Sequence, residues 1–199
     1  MRRIVMFNQV SADGYFAAPD GSLDWVVPDD KLSQAAMDQG PAFDTVLFGR
    51  KTNDMFEQFW PHALDPSSAT SPDPHAPGRR SATVRDMALF LNATQKVVFS
   101  RTRKDVTWNN SRLVRELDPR AIGEMKRQSG QDMILFGSGS IVSELTRHGL
   151  IDEYQFAVMP VVLGAGRPLF TGVERVKLDL IDARGFASGN VLQRYRRAK

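Results

Sequence analysis

Apolar and polar positions follow two rhythms along this chain, one typical of strands and one typical of helices. Short apolar runs typical of buried strands occupy residues 3–10, 45–48, 96–100 and 133–136. Runs with apolar positions at helical spacing occupy residues 29–38, 50–59, 84–92, 119–128 and 140–148. Because strands and helices alternate, the pattern predicts an α/β fold with a mostly parallel central sheet flanked by helices.

Beyond residue 150 the helical rhythm disappears. Residues 151–164, IDEYQFAVMPVVLG, predict one long strand, and residues 176–183 and 191–196 predict two more, with a turn at ASGN between them. Successive strands without helices pair antiparallel, so we expect a mixed sheet with antiparallel C-terminal strands. The stretch YQFAVMPVVL barely alternates, which indicates a strand buried on both faces. A second copy of the chain in a homodimer is the expected cover, and helices from the first half are the alternative.

Length and composition bound the class of protein. With 199 residues, 42% hydrophobic and 25% charged, the chain is expected to form a single domain over 1–199. A Pro- and Ser-rich insertion at about 61–82 fits either a floppy surface loop or a flap over a ligand site. No apolar run approaches the roughly 18 residues of a membrane span, so no membrane partner is expected. The absence of cysteine fits a reducing cytoplasm, where we expect the protein to reside.

Charge and histidine content argue against two further classes. The net charge is +3 and the pI is about 9.4, with much of the surplus in the final RYRRAK. No basic stripe interleaved with aromatic residues accompanies that tail, so no nucleic-acid partner is expected. His62, His75 and His148 lack metal-ligand spacing, and no metal is expected. A small molecule is the expected partner.

Three predicted strands end in segments rich in glycine, hydroxyls and cations: VLFGRKT (46–52), VVFSRT (97–102) and ILFGSGS (134–140). Open α/β sheets bind ligands at the carboxyl ends of their strands, and these groups suit a ligand with several phosphates. Gly137 and Gly139 lack a Cβ, which lets the backbone approach a ligand closely, and a helix that starts near Ser140 directs N–H groups into the same gap. A short glycine motif serves equally as a plain turn, and that alternative stays open for each segment taken alone.

These segments, together with NQVSADGYFAAPDGSLDW (8–25) and DEYQFAVMPVVLGAGRPLF (152–170), resemble the dihydrofolate reductase-like superfamily. The resemblance is closest to the branch containing the reductase half of the riboflavin-biosynthesis deaminase-reductase and its stand-alone relatives. It implies a fold that binds NADPH, with the pyrophosphate at the glycine loop and the adenosine 2′-phosphate near VVFSRT. It also implies twelve cofactor-binding residues: Gly49, Arg50, Lys51, Thr52, Ser100, Arg101, Thr102, Gly137, Ser138, Gly139, Ser140 and Ile141. Simpler roles stay open as alternatives, such as a helix cap for Thr52 or a plain strand end for Ser100.

The substrate side is expected to involve carboxylates near the first strand. Asp13, in SADG, belongs to the motif shared with the riboflavin-pathway reductases and is expected to be catalytic, with a turn-forming Asp-Gly as the alternative. Asp30 lies close to where dihydrofolate reductases place their pterin-binding carboxylate and is also expected to be catalytic, with helix capping as its alternative. Four further residues are expected to bind substrate, with core packing or turn formation as their alternatives: Trp25, Gly164, Gly166 and Arg167.

The sequence therefore predicts an NADPH-dependent reductase of a small heterocyclic or carbonyl substrate, similar to the reductases of riboflavin biosynthesis. The nicotinamide supplies the hydride chemistry, so the protein needs little acid–base machinery. A true pterin or dihydrofolate reductase is the alternative among enzymes. A nucleotide-binding module without turnover is the alternative outside them.

Overall fold

The computed structural model describes residues 1–38, 42–65 and 81–198, which form a central sheet with helices on both faces. Ten strands occur in these residues: β1 (Ile4–Ser11), β2 (Tyr15–Ala17), β3 (Phe43–Gly49), β4 (Gln95–Phe99), β5 (Ser111–Val114), β6 (Asp132–Phe136), β7 (Glu153–Met159), β8 (Arg167–Pro168), β9 (Leu178–Gly185) and β10 (Val191–Arg197). Five α-helices accompany them: α1 (Asp30–Asp38), α2 (Arg50–Phe59), α3 (Ala82–Ala93), α4 (Pro119–Arg127) and α5 (Gly139–Arg147). A short 3-10 helix, Trp60–His62, continues α2.

Eight strands form the main sheet in the order β5-β4-β3-β6-β1-β7-β10-β9. The pairs from β5 to β7 are parallel, while β10 pairs antiparallel with both β7 and β9. The predicted α/β fold, mostly parallel with antiparallel C-terminal strands, is confirmed. The strands β3, β4 and β6 are neighbours, so the three segments that follow them meet at one edge of the sheet.

The structure departs from the predicted elements in several places. The strand expected over 151–164 ends at Met159, because Pro160 has no N–H to continue the ladder. The short strands β2, β5 and β8 were not predicted, since two to four residues carry too little periodicity to detect. Most of the insertion expected at about 61–82, residues 66–80, lies outside the described residues, so its role as loop or flap stays a prediction. None of the helices in the described ranges is long and apolar enough to cross a membrane.

Both faces of β7 are covered by the chain itself. On one face Tyr154 packs with Leu145 of α5, and on the other Met159 packs with Leu32 of α1. One of these covering helices, α1, belongs to the first half of the chain, as the alternative expected, and the other, α5, does not; the homodimer stays a prediction. Among the described residues of this region, Val162 after β7 is 74% exposed and Leu180 on the edge strand β9 is 59% exposed.

Lys96 of β4 is a fully buried cation that closes the end of α3. Its Nζ donates to the carbonyl oxygens of Leu91 at 2.6 Å and Thr94 at 2.8 Å, and it lies 4.5 Å from the ring centroid of Trp108. These contacts satisfy carbonyl groups that a helix end leaves without partners. Burial nevertheless disfavours the charged form and lowers the pKa of Lys96 to about 8.

We expect the free energy of unfolding to contain a contribution from Lys96 that rises with pH between about 8 and 10.5. In that window the unfolded chain holds a proton that the folded chain has released, so raising the pH favours the folded state, by at most about 3 kcal/mol. Urea titrations at pH 7.5, 9 and 10 would measure it in the wild type and in Lys96→Met, which keeps the length of the side chain. The variant should show a flatter pH dependence. If the free energy of unfolding changed equally with pH in both proteins, Lys96 would not be the source of the pH dependence.

Candidate active site

A cavity of about 720 Å³ opens at the sheet edge where β3, β4 and β6 end. Fourteen of the eighteen residues predicted for the site line it, including Asp30 and Arg167 from the substrate side. The other twelve are the whole predicted cofactor set: Gly49, Arg50, Lys51, Thr52, Ser100, Arg101, Thr102, Gly137, Ser138, Gly139, Ser140 and Ile141. The topology thus brings together three loops that are far apart in sequence.

The loops after β3 and β6 are bound to each other through Ser138. Its Oγ accepts a hydrogen bond from the N–H of Gly49 at 3.0 Å and lies 2.7 Å from Oγ1 of Thr52. Ser138 has a left-handed backbone conformation, φ 59°, directly after Gly137 at φ 56°. A non-glycine residue in this region costs free energy and is frequent at functional sites, where the surrounding structure enforces it.

The glycines of these loops make room for protein atoms. A Cβ on Gly49 would lie 2.7 Å from the Cβ of Ser138, and a Cβ on Gly137 would lie 2.8 Å from Oγ1 of Thr52. Gly139 is buried, and a Cβ there would lie 3.0 Å from the ring of Phe16. A close approach of the backbone at Gly137 and Gly139 to a ligand stays a prediction; the structure shows the packing that these glycines permit. They allow the loops to pack closely on each other and on β2.

The two helices that start at these loops lack side-chain caps. Neither α2 nor α5 has a side-chain hydrogen bond at its N-cap, whereas Ser81 caps α3 and Asp118 caps α4. At α1 the carboxylate of Asp29 accepts from the N–H groups of Lys31 and Leu32 at 2.9 and 3.0 Å. An uncapped helix N-terminus offers N–H donors and a positive dipole end to an anion. Both uncapped ends border the cavity.

Three cations stand beside these helix ends: Arg50 and Lys51 at the start of α2, and Arg101 after β4. All three side chains are exposed, and Arg50 forms an ion pair with Asp54 at 3.1 Å. This ion pair uses only part of the Arg50 guanidinium and leaves its other N–H donors for a ligand. This edge of the cavity is positively charged.

The turn that carries Arg101 is anchored to α2 by a half-buried carboxylate. Glu57 accepts hydrogen bonds from Arg103 at 2.5 Å and from the Thr107 hydroxyl at 2.6 Å. Although burial raises the pKa of Glu57, these donors and the N–H of Trp108 lower it overall, so the carboxylate is ionised. The Oγ of Ser100 accepts from the N–H of Arg103 at 3.0 Å, which closes the turn. The turn therefore has a fixed position relative to the N-terminus of α2.

Asp13 and Gly164, predicted at the substrate, are not part of the cavity lining. The Asp13 carboxylate accepts from the N–H groups of Leu163 at 3.1 Å and Gly164 at 2.8 Å. The Ser11 hydroxyl, together with these N–H groups, lowers the pKa of Asp13. The two motifs SADG and LGAG are thus bound to each other, which gives both a bracing role.

Trp25 and Gly166 also lie outside the cavity lining. Nε1 of Trp25 donates to the carbonyl oxygen of Ser22 at 3.2 Å, and its ring packs beside a buried cluster that includes Val26. A Cβ on Gly166 would lie 2.6 Å from the carbonyl oxygen of Ala17, so a side chain there would prevent close approach to β2. These contacts give both residues a packing role, and a contact of either residue with substrate stays a prediction.

Several cavity residues were missed by sequence reasoning. Asn8 of β1 is 3% exposed, and its Oδ1 has no hydrogen-bond partner among the residues that the structure describes. The sequence did contain a signal for Asn8, because a polar residue within the apolar run IVMFNQV needs a hydrogen-bond partner. Met55, Trp60 and Met87 approach from α2, the 3-10 helix and α3, and nothing in a single sequence indicates that these side chains share one wall. No group of three or more potential metal ligands occurs in the described ranges.

The fold and the cavity at its strand ends define a dihydrofolate reductase-like protein. The sequence model of the RibD C-terminal domain matches residues 2–192, and the chain belongs to that family of reductase domains. YyaP, an uncharacterized protein of Bacillus subtilis (strain 168), is 30% identical over 191 residues, which cover 96% of this chain and 92% of YyaP.

Solved structures support the same fold. A protein from Shewanella sp. PV-4, whose name refers to riboflavin biosynthesis, has a TM-score of 0.70 at 22% identity, with 99% of each chain covered. Dihydrofolate reductase from Enterococcus faecalis, solved with NADP(H), has a TM-score of 0.59 at 11% identity, with 99% of this chain and 97% of that chain covered. The resemblance to the dihydrofolate reductase-like superfamily is confirmed.

Proposed function

We propose that this protein is an NADPH-dependent reductase of a small heterocyclic or carbonyl substrate. The observation that carries the proposal is the convergence of two uncapped helix N-termini and three cations on one edge of a large cavity. A dinucleotide with a 2′-phosphate has its negative charge in two places, and the loops after β3, β4 and β6 together offer cations and N–H donors to both. Membership in a reductase family and the NADP(H) in the name of the Enterococcus structure support the same cofactor.

Particular residues of the cavity fit each charged group of this cofactor. The N-terminus of α5, at Gly139 and Ser140, would hold the pyrophosphate together with Arg50 and Thr52 of α2. Ser100 and Arg101 would hold the 2′-phosphate. The bound nicotinamide supplies a hydride to the substrate.

The chain's own residues would place the substrate and exclude water. Phe16, Leu23 and Met55 give the remaining cavity apolar walls. Asp30 accepts a hydrogen bond from the Ser81 hydroxyl at 3.0 Å. We propose that it donates a proton to the substrate atom next to the carbon that receives the hydride. The carboxylate of Asp13, also expected to be catalytic, is engaged with the N–H groups of Leu163 and Gly164, so we assign the proton transfer to Asp30.

Oxidation of NADPH by pure protein tests the activity. Absorbance at the nicotinamide band is followed with a panel of heterocyclic and carbonyl acceptors, including dihydrofolate. Turnover of a non-pterin acceptor that is lost in Asp30→Asn supports the proposal. Turnover of dihydrofolate alone favours the pterin alternative, and tight NADPH binding without turnover of any acceptor favours the nucleotide-binding module.

We expect the protein to form a homodimer, with β9 as the contact. Leu180 and Ile181 on this edge strand are 59% and 43% exposed, and an unpaired edge with apolar side chains favours association. Sedimentation at micromolar concentration should show a dimer that Leu180→Lys dissociates. A monomer at every concentration removes this prediction and leaves the proposed activity unaffected.

A further inference from the structure

The cavity has two halves that differ in the groups they offer to a ligand. The phosphate half consists of the loops after β3, β4 and β6, and it contains Arg50, Lys51 and Arg101. The substrate half consists of the other described lining residues, most of them on β1, β2, residues 21–30, α1, α2 and α3. A dinucleotide whose phosphates occupy the first half must extend its nicotinamide end into the second.

The order of strands gives the direction in which the proposed cofactor runs along the sheet edge. Five neighbouring strands follow each other as β4, β3, β6, β1 and β7. The proposed site of the 2′-phosphate follows β4, and the proposed site of the pyrophosphate lies at the helix N-termini after β3 and β6. In the cofactor the pyrophosphate lies between the adenosine and the nicotinamide riboside. We therefore expect the nicotinamide end at the next strand along this edge, which is β1.

The sheet opens at this place, beside Asn8. The last pair in register between β1 and β6 is Phe7 with Phe136, whereas β1 remains paired with β7 as far as Ser11. Asn8 and Gly137 are thus the first residues beyond the paired part of β1 and β6, one on each side of the opening. Both of them line the cavity.

Asn8 lies on the side of the sheet where α5 begins. Side chains alternate along a strand, so Asn8 shares the face of Met6 and Val10. These two apolar residues belong to the same buried cluster as Ile141 in the first turn of α5. A polar side chain in this otherwise apolar row therefore adjoins the helix whose N-terminus would hold the pyrophosphate.

The amide of Asn8 is buried with an acceptor that has no partner. Its Oδ1 makes no hydrogen bond in the described part of the chain. The Oδ1 atoms of Asn53 and Asn190 are also unpartnered, but neither residue lines the cavity. Their amide nitrogens donate to Glu57 and to the carbonyl oxygen of Val27. A buried acceptor without a partner costs free energy, so one in a cavity wall points to a ligand that supplies the donor.

Building on the proposed function, we propose that Oδ1 of Asn8 accepts a hydrogen bond from the carboxamide N–H of the nicotinamide. A half turn about the Cβ–Cγ bond lets the Asn8 amide present its oxygen to the cavity. An anchored carboxamide stops rotation of the ring about its bond to the ribose, so Asn8 would set which face of the nicotinamide meets the substrate.

Three ligands separate the carboxamide from the rest of the cofactor. NADP⁺ is the complete molecule, its 3-acetylpyridine analogue has a methyl group in place of the carboxamide NH₂, and 2′-phospho-ADP-ribose lacks the nicotinamide ring. In calorimetric titrations the wild type should bind NADP⁺ about fivefold more tightly than the analogue, the effect of one hydrogen bond. Asn8→Leu, which removes the acceptor, should abolish this preference. Its affinity for 2′-phospho-ADP-ribose should equal that of the wild type.

Two further variants separate recognition from packing. Asn8→Ala removes the acceptor without overfilling the wall, and it should lose the same preference. Asn190→Leu makes the matched change at a buried asparagine outside the cavity lining, and it should keep the wild-type preference in protein that melts cooperatively. Without ligand, Asn8→Leu should melt no lower than the wild type, because it removes a buried acceptor that has no partner.

The outcomes distinguish this inference from the proposed function. Equal binding of NADP⁺ and its analogue by the wild type, or an undiminished preference in the folded Asn8 variants, overturns the inference alone. An equal loss of affinity for all three ligands in those variants also overturns it, because the effect would then be structural. A wild type that binds none of the three ligands overturns the proposed cofactor, and the inference with it.

Discussion

Replacing Gly49 with alanine is expected to weaken NADPH binding by a hundredfold or more. The added Cβ would lie 2.7 Å from the Cβ of Ser138, so one of the two loops must shift. That shift breaks the hydrogen bond from the N–H of Gly49 to Ser138 and displaces the N-termini of α2 and α5 together. Overpacking of this kind also destabilises the fold by about 1–3 kcal/mol. Calorimetric titration with NADPH, paired with a thermal melt, measures both effects.

The double variant Gly49→Ala/Ser138→Gly should recover part of the lost affinity, because it relieves the clash although it does not restore the hydrogen bond from the N–H of Gly49. Glycine removes the side chain that the new Cβ meets and suits the left-handed backbone of position 138. Gly123→Ala is the matched control, because a Cβ at this position of α4 meets nothing closer than 3.7 Å. It should bind NADPH as the wild type does. Undiminished affinity in Gly49→Ala would show that the packing of these loops does not determine cofactor binding.

Replacing Arg101 with glutamine is expected to weaken NADPH binding about ten- to hundredfold and to leave NADH binding unchanged. The two cofactors differ by the 2′-phosphate, and a hydrogen bond to a charged group contributes about 1.5–3 kcal/mol. Arg175→Gln, an exposed arginine outside the cavity lining, serves as the control for the loss of one positive charge. If Arg101→Gln weakens both cofactors equally, Arg101 contributes general charge and does not recognise the 2′-phosphate.

Glu57 provides a second test of the same turn. The hydrogen bonds of Glu57 to Arg103 and Thr107 fix the turn that carries Arg101. We therefore expect Glu57→Gln to reduce the preference for NADPH over NADH, although Glu57 itself is not expected to contact either cofactor. A merely structural role would lower thermal stability and leave that preference intact. The ratio of the two affinities therefore separates positioning from stability.

The sequence predicts the sheet and the phosphate half well, because both depend on local patterns. Apolar runs of strand length locate β1, β3, β4 and β6, and the polar segments after three of these strands converge because parallel strands share one edge. The substrate half is less accessible to sequence reasoning, since its walls come from side chains that only the tertiary fold brings together, such as Trp60 and Met87.

The substrate motifs show where pattern reasoning stops. SADG and LGAG were expected to face the ligand, yet Asp13 of one binds the N–H groups of the other. A motif of this kind indicates a required contact, and a single sequence does not say whether its partner is a ligand or a second motif. In the same way, Gly139 indicated that another group packs closely against the backbone, and in the structure the ring of Phe16 does so.

Calorimetric titration of the wild-type protein with NADPH and with NADH tests the central claim most directly. The account predicts one NADPH bound per chain, at least tenfold more tightly than NADH, since the loops after β3, β4 and β6 would each receive a phosphate of the cofactor. No binding of NADPH, or equal affinity for the two cofactors, would contradict it.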